Sequence, residues 1–227
     1  SCVANVQVTP LLSCIVQGGI CATCPCIDIN WACAGFIYAL ELAESFYQAG
    51  KVRNVLVVSA EEPTRMTDWN DRRTCVLFGD GAGAAVLTPG DNIKSIKLSA
   101  SSATDKLWQY RLLHPTPYIT KEEVDTPLQM KGQDVFKFAV KAASKDISRT
   151  LKETGLNADD VDHYLLHQAN VRIINAIQEY LEQPEDKFPK NIEDHGNSSS
   201  SCCPILLDEC NRNGVLKKGD LIAMSAF

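Results

Sequence analysis

The sequence has no long apolar run, and none of its hydrophobic stretches approaches the ~20 residues that a membrane-spanning helix needs. It also lacks an excess of basic residues, since 22 lysines and arginines stand against 28 aspartates and glutamates and give a net charge of −6. Nucleic-acid binders need a basic surface that neutralises phosphates, so this balance argues against a nucleic-acid partner. The first residues show no charged segment followed by an apolar one, and we therefore predict no signal peptide.

Cysteine, in contrast, is plentiful, with 10 residues in 227. Without a secretion signal we interpret most of them as reduced thiols in a cytoplasmic compartment or a plastid-type one. The spacing of Cys21, Cys24 and Cys26 is typical of half a zinc site, but no second ligand pair with matching spacing follows. We therefore expect no metal there and interpret these cysteines as small buried residues beside a strand.

Apolar patterns along the chain predict strands that alternate with helices, the arrangement of α/β proteins. The predicted helices cover residues 36–50, 134–153, 170–182 and 199–213. The predicted strands cover residues 26–30, 54–59, 75–78, 84–87, 96–102, 162–166 and 221–226. Residues 1–26 show no clear pattern, and the proline-containing residues 103–131 predict a connection over the surface.

Two strand–turn–helix units, at residues 27–33 and 164–170, resemble each other within the chain. Each places one reactive side chain, Cys33 or His167, at its turn. Two such units predict a duplicated fold with a functional site where the turns meet, because sites in α/β sheets lie at the carboxyl ends of strands.

Cys33 is a candidate nucleophile because it precedes a predicted helix. The N–H groups and dipole of a helix N-terminus favour a thiolate and lower the pKa of a cysteine placed there. The small neighbours Ala32, Ala34 and Gly35 leave room for a bulky acyl donor. Since the chain holds 10 cysteines, a buried core thiol stays open as the alternative for Cys33.

His167 and Asn197 are the other candidate catalytic residues. His167, one of 4 histidines, ends a predicted strand and can exchange a proton near neutral pH. His163 would stand ~13 Å from it along a strand, which argues against a shared metal. Asn197 follows Gly196 in a turn, where its amide can donate to a developing oxyanion. A structural histidine and an ordinary turn asparagine are the alternatives.

Five segments stand out in this order: 32–36 (ACAGF), 71–84 (DRRTCVLFGDGAGA), 132–136 (GQDVF), 167–170 (HQAN) and 195–197 (HGN). Together they closely resemble the 3-oxoacyl-[acyl-carrier-protein] synthase III family, the ketoacyl synthase III branch of the thiolase-like superfamily. The resemblance implies a thiolase-like α/β fold with a duplicated, layered α-β-α-β-α architecture. Its two halves would be residues 1–95, with the nucleophilic cysteine, and residues 96–227, with the histidine and the asparagine.

The resemblance implies a catalytic triad of Cys33, His167 and Asn197. Cys33 would take an acyl group from acyl-CoA and release CoA. His167 and Asn197 would then hydrogen-bond the thioester oxygen of malonyl-acyl-carrier protein while decarboxylation develops an enolate. The enolate would condense with the acyl group and give 3-oxoacyl-carrier protein and CO2, which initiates fatty acid synthesis. No metal or redox cofactor is implied.

The resemblance also assigns substrate contacts. Arg72 would bind the nucleotide end of CoA, since a guanidinium stacks on adenine and pairs with phosphate. Phe78 would lie near the acyl pocket. The wall of the pantetheine tunnel would include Gly132, Phe136 and Asn170.

Basic residues are expected to dock the acidic carrier protein, and the resemblance assigns this role to Lys137 and Arg172. Lys137 begins a row with Lys141, Lys145 and Arg149 at a spacing of four residues, for which a solvated helix face is the alternative. The family also implies a homodimer.

The family's pattern extends beyond this chain on both sides, with an N-terminal stretch that grips CoA and a glycine-rich C-terminal tail. We therefore expect a thiolase-like fold that is incomplete at both ends. Three other interpretations stay open: a related acyltransferase or condensing enzyme of secondary metabolism, a cysteine hydrolase with the same triad, and a non-catalytic partner subunit.

Overall fold

The computed structural model describes residues 9–110, 116–118 and 126–227. Its helices are α1 (Leu12–Gly19), α2 (Gly35–Gln48), α3 (Gly132–Glu153), α4 (Val171–Leu181), α5 (Ile192–His195) and α6 (Cys202–Arg212). Its strands are β1 (Val55–Glu61), β2 (Gly81–Leu87), β3 (Leu107–Trp108), β4 (Gln129–Met130), β5 (His163–Leu166) and β6 (Ile222–Ser225). The pairs β1–β2 and β3–β4 are antiparallel, and β5–β6 is parallel. None of the helices described is long and apolar enough to cross a membrane.

The β1–β2 pair runs without a break from Val55 opposite Leu87 to the far end of both strands. Side chains alternate between the two faces of a strand, and in β1 the buried face carries Val57, Ser59 and Glu61. Glu61, the last residue of β1, therefore places a carboxylate in the interior.

Helices α2 and α6 pack against this pair. Helix α6 comes close to β2 because β2 carries Gly83, where a Cβ would stand only 2.7 Å from the side chain of Pro204. The resulting core joins Phe36 of α2 to Cys202 and Cys203 of α6. The first turn of α6 is thus held firmly against the β1–β2 pair.

The β5–β6 pair anchors a larger core with α3 and α4. Both helices present an apolar face to it, at the spacing expected of amphipathic helices. The buried residues of this core are Ala139, Ala143, Ile147, Leu151, Val161, Tyr164, Leu166, Ile173, Ile174, Ile177, Leu181 and Phe188.

Four predicted helices are confirmed, since α2, α3, α4 and α6 lie where the apolar spacing placed them. A 3₁₀ turn, Ser199–Ser201, replaces the first residues of the last one. The predicted strands at 54–59, 84–87, 162–166 and 221–226 are confirmed as β1, β2, β5 and β6.

Three predicted strands are wrong: 26–30, 75–78 and 96–102. In 75–78 the backbone turns instead, with Leu77 N–H donating to Thr74 O at 3.0 Å. An apolar run becomes a strand only where another strand completes its hydrogen bonds, and local sequence does not report that partner. The predicted connection 103–131 contains β3 and β4, while its residues 111–115 and 119–125 lie outside the described residues.

Helix α1 was not predicted, because its N-terminus is held by a distant residue. Asp28 accepts hydrogen bonds from Leu12 N–H and Ser13 N–H, both at 2.9 Å. A carboxylate there satisfies free N–H groups and complements the helix dipole. Hydrophobic spacing within 12–19 carries no trace of this contact.

The burial predicted for the clustered cysteines is also wrong. Cys21 and Cys24 are exposed, Cys26 is half-buried, and no strand passes beside them. The Cys26 sulfur lies 3.4 Å from that of Cys14. Within the described ranges, no group of three or more histidine, cysteine, aspartate or glutamate residues is placed to hold a metal ion.

Candidate active site

Cys33 lies in a 3₁₀ turn, Ala32–Ala34, that leads directly into α2. The turn begins with Ala32 at φ 42°, in the left-handed region, which costs an L-residue roughly 1–2 kcal/mol. The turn presents the half-buried thiol at the N-terminus of α2, the location predicted from the sequence.

His167 follows β5 directly and is almost completely buried. Its N–H donates to Ser225 O at 2.8 Å, which extends the β5–β6 pairing by one residue. The ring of Phe227 stands edge-on to the imidazole, with ring centroids 5.1 Å apart. Strand pairing and packing together leave the imidazole little freedom.

Cys33 and His167 interact where the two turns meet. Burial raises the pKa of the Cys33 thiol and Glu61 raises it further, but the nearby His167 imidazole, together with the Ser199 side chain, outweighs both, so this pKa is lowered. Burial pulls the pKa of His167 down, yet Cys202 and Cys33 raise it well above its ordinary value. These directions are those of a thiolate–imidazolium pair.

Asn197 enters the site from the segment between α5 and α6. Its N–H donates to Leu77 O at 2.8 Å, and its own carbonyl oxygen accepts from Gly79 N–H at 3.2 Å. Its side-chain Oδ1 accepts from Ser199 N–H at 2.9 Å. Because the turn Ser199–Ser201 packs against the turn Ala32–Ala34, these contacts place Asn197 beside the turn of Cys33.

Two glycines allow this approach. A Cβ on Gly79 would stand 1.9 Å from His195 O, and Gly196 adopts φ 65°, which strains other residues. The segments 71–84 and 195–197, far apart in the sequence, therefore come together here.

Glu61 is a buried carboxylate beside this centre, and sequence reasoning missed it. It is 2% exposed, and it accepts a hydrogen bond from the hydroxyl of Ser200. Its charge opposes the Cys33 thiolate by raising the pKa of that thiol. A glutamate in the buried register of β1 was the only signal available in the sequence.

Cys202 is the second residue that sequence reasoning missed. Its sulfur lies 2.8 Å from His167 Nδ1 and accepts from Gln168 N–H at 3.4 Å. The pair Cys202–Cys203 is visible in the sequence, but no local pattern indicates a histidine partner 35 residues away.

The residues assigned to CoA and the acyl chain lie in the segments 71–84 and 132–136. Arg72 is exposed. Phe78 is half-buried, and its backbone forms a parallel bridge with Asn197. Gly132 and Phe136 begin α3, and both are exposed.

The residues assigned to the pantetheine wall and the carrier protein lie on neighbouring helices. Asn170 caps α4, with its Oδ1 accepting from Arg172 N–H at 2.9 Å. Lys137 on α3 and Arg172 on α4 have exposed side chains, and the two helices pack against each other.

Taken together, the centre holds a cysteine thiol whose pKa is lowered, a buried imidazole and a nearby amide. Such a set can attack a thioester carbonyl and stabilise negative charge on a carbonyl oxygen.

Two family models match separate parts of the chain. The model described as 3-oxoacyl-[acyl-carrier-protein] synthase III matches residues 27–105, and the model of the C-terminal part of that enzyme matches residues 151–227. The chain belongs to the 3-oxoacyl-[acyl-carrier-protein] synthase III family. The resemblance inferred from the five sequence segments is therefore confirmed.

Individual members of this family share about two fifths of their residues with the chain. It is 42% identical over 223 residues to the beta-ketoacyl-[acyl-carrier-protein] synthase III of Clostridium novyi (strain NT), covering 96% of this chain and 69% of that protein. It is 41% identical over 209 residues to the same enzyme of Helicobacter pylori (strain Shi470), covering 89% of this chain and 63% of that protein. The chain thus spans about two thirds of the length of these relatives.

A solved structure supports the fold directly. The crystal structure of 3-oxoacyl-[acyl-carrier-protein] synthase III from Aquifex aeolicus VF5 superposes with a TM-score of 0.78 at 39% identity, covering 96% of this chain and 68% of that one. The α/β, thiolase-like fold predicted from the sequence is confirmed by this likeness.

Proposed function

We propose that this chain carries the active centre of a beta-ketoacyl-acyl-carrier-protein synthase, an acyltransferase that condenses an acyl-CoA primer with malonyl-acyl-carrier protein at the start of fatty acid synthesis. The observation that carries the proposal is the position of Cys33 at the N-terminus of α2, where buried His167 also lowers the pKa of the thiol. The family membership supports the same chemistry.

In the first half-reaction the Cys33 thiolate attacks the carbonyl carbon of acyl-CoA. The bond from that carbon to the CoA sulfur breaks, and the acyl group stays on Cys33 as a thioester. CoA leaves as a thiolate and takes its proton from the His167 imidazolium. The imidazole is then neutral and ready for the second substrate.

In the second half-reaction malonyl-acyl-carrier protein loses CO2, and the electron pair of the broken C–C bond forms an enolate. His167 and the Asn197 amide donate hydrogen bonds to the enolate oxygen. The enolate carbon attacks the acyl carbonyl on Cys33, and the Cys33 thiolate leaves. Nδ1 of His167 faces Cys202, so Nε2 is the nitrogen that serves the substrate.

A cysteine hydrolase uses the same residue types differently, because its asparagine orients the histidine. Here His167 Nδ1 faces Cys202, and the Asn197 side-chain oxygen accepts from Ser199 N–H. This arrangement favours acyl transfer with Asn197 as an oxyanion donor.

The substrates and partners follow from the family. In this proposal Arg72 binds the CoA nucleotide, Phe78 borders the acyl pocket, and the pantetheine arm passes residues 132–136 and Asn170. The exposed cations Lys137 and Arg172, on two helices that pack together, suit an acidic carrier protein.

The organisation of the whole enzyme is also a proposal. The two halves would divide near residue 95, and the enzyme would work as a cytoplasmic or plastid homodimer. The separate matches at 27–105 and 151–227 support two halves. The chemistry above needs no metal or redox cofactor, since protein donors stabilise the enolate.

The direct test is intact mass spectrometry after incubation with short-chain acyl-CoAs. We expect a mass gain of one acyl group and equimolar free CoA, and neither in the Cys33→Ala variant. Cys75→Ala, at another half-buried cysteine, is the matched control and should acylate normally. A folded wild-type protein that forms no adduct, or an adduct that survives Cys33→Ala, would overturn the proposal.

A further inference from the structure

Two cysteine thiols interact with His167, and only one of them is the proposed nucleophile. The other is Cys202, the first residue of α6, which is 2% exposed. Its sulfur lies 2.8 Å from Nδ1, and Cys33 interacts with the same ring. The imidazole therefore has a sulfur partner besides its nucleophile.

Cys202 is itself held in place. Gln168 N–H, immediately after the histidine, donates to its sulfur at 3.4 Å. The first turn of α6 is fixed from the other side, where Pro204 packs against Gly83 of β2. The sulfur thus has a defined position relative to the ring.

The charge state of this thiol follows from its surroundings. Burial, together with the neighbouring Cys203, raises the pKa of Cys202 well above its ordinary value despite His167. A neutral thiol is both a hydrogen-bond donor and an acceptor. It can accept from Nδ1–H when His167 is an imidazolium, and it can donate to Nδ1 when the ring is neutral.

The state in which the His167 ring is neutral matters for condensation. When the Cys202 S–H donates to Nδ1, the remaining proton of the neutral ring lies on Nε2, the nitrogen that serves the substrate. An alanine at 202 offers neither donor nor acceptor. A carboxylate only accepts and would hold the proton on Nδ1.

We propose that Cys202 is a positioning residue that orients His167 and keeps the proton of its neutral ring on Nε2. This role deepens the proposed function and rests on it. It is carried by the 2.8 Å contact, by the burial of both residues and by the Gln168 hydrogen bond that fixes the sulfur.

The ionisable groups around His167 determine how the pH dependence of Cys33 reactivity changes when Cys202 is replaced. Cys33 and Cys202 interact with the ring directly. Glu61, from β1, acts on Cys33, and Cys203 acts on Cys202. Without a hydrogen-bond partner at Nδ1, the imidazolium form of His167 is less stable. The Cys33 thiolate then loses part of the stabilisation that the imidazolium provides.

The test compares Cys202→Ala, Cys202→Ser and the matched control Cys203→Ala, all checked for folding by circular dichroism. Iodoacetamide labelling of Cys33, followed by peptide mass spectrometry against pH, measures the thiolate without any substrate. We expect Cys202→Ala to raise the labelling midpoint by about one pH unit, which is about a tenfold loss of reactivity at a fixed pH below it. Cys202→Ser, whose hydroxyl also donates and accepts, should restore most of the wild-type profile, and Cys203→Ala should keep it.

An unchanged midpoint in folded Cys202→Ala would overturn the role, as would an equal shift in Cys203→Ala, which indicates general packing. If Cys202→Ala does not fold, nitrogen-15 NMR of His167 in the Cys33→Ala variant decides instead. The proton of the neutral ring is expected on Nε2, and a proton on Nδ1 contradicts the proposal. Both readouts stand apart from acyl-CoA chemistry, so a failure of the proposed function would be recognised separately, by the absence of any acyl adduct on wild-type protein.

Discussion

The two turns that meet at the active centre are built in opposite ways. The turn of Cys33 is half-buried, begins in a strained conformation at Ala32 and ends at a helix N-terminus. The turn of His167 is buried, continues a strand pairing and packs against Phe227. In the proposed reaction substrate must reach Cys33, whereas His167 must keep its orientation to transfer a proton, and each construction suits the proposed role.

The largest effect is expected from removing the rigid member of this pair. In His167→Ala, burial and Glu61 still raise the pKa of Cys33, but the imidazole that lowers it is gone. The labelling midpoint of Cys33 should therefore move to higher pH, and condensation should fall at least about 100-fold. Peptide mapping after iodoacetamide treatment and a radiolabelled CO2-release assay measure the two effects.

His163→Ala is the matched control, since His163 is the first residue of β5, the strand that His167 follows, and its Nε2 lies 3.3 Å from Asp220. It should keep the wild-type labelling profile. A His167→Ala protein whose Cys33 still labels with the wild-type midpoint would show that the two turns are not coupled.

A more selective effect, confined to one half-reaction, is expected at Asn197. In the proposed mechanism its amide serves the enolate and not the thiolate, so Asn197→Ala should lower condensation by about 10²–10³-fold. Acylation of Cys33 should change only a few-fold, as measured by stopped-flow release of CoA. Asn213→Ala, at an exposed asparagine after α6, is the control. Equal losses of acylation and condensation in Asn197→Ala would contradict a role for Asn197 in the enolate step alone.

The smallest effect is expected from relaxing the strained turn. Ala32 adopts φ 42°, which glycine tolerates, so Ala32→Gly should stabilise the protein by about 0.5–1 kcal/mol after the greater entropy of the unfolded chain is included. Ala34, two residues later, has an ordinary φ of −82°, and Ala34→Gly should destabilise the protein by a similar amount. Urea unfolding measures the free energy of unfolding of both variants, and we expect changes of opposite sign. Destabilisation by both substitutions would argue against strain at Ala32.

Sequence reasoning succeeded where the signal is local. The apolar spacing of α3 and α4 and the strand of His167 were predicted because buried faces repeat with the period of the element. The same reasoning produced false strands at 26–30, 75–78 and 96–102, where an apolar run has no strand beside it. It also missed α1, whose N-terminus depends on Asp28.

The residues of the candidate site also differ in whether a local signal identifies them. Cys33, His167 and Asn197 were identified because their residue types and local turns indicate chemistry. Glu61 and Cys202 were not, since a glutamate at the end of an apolar strand and a cysteine after four serines have no distinctive local pattern. Glu61 accepts a hydrogen bond from Ser200, 139 residues away, and Cys202 contacts His167, 35 residues away.

The sequence by itself determined the family, the α/β alternation of the main elements and the three residues that form the proposed triad, because residue identity, order and periodicity are local properties of the chain. Only the tertiary structure decided which ionisable groups surround Cys33 and which thiol lies against Nδ1 of His167. Those properties depend on distances of a few ångströms between segments far apart in the chain, and hydrogen bonds and charge interactions change steeply over such distances.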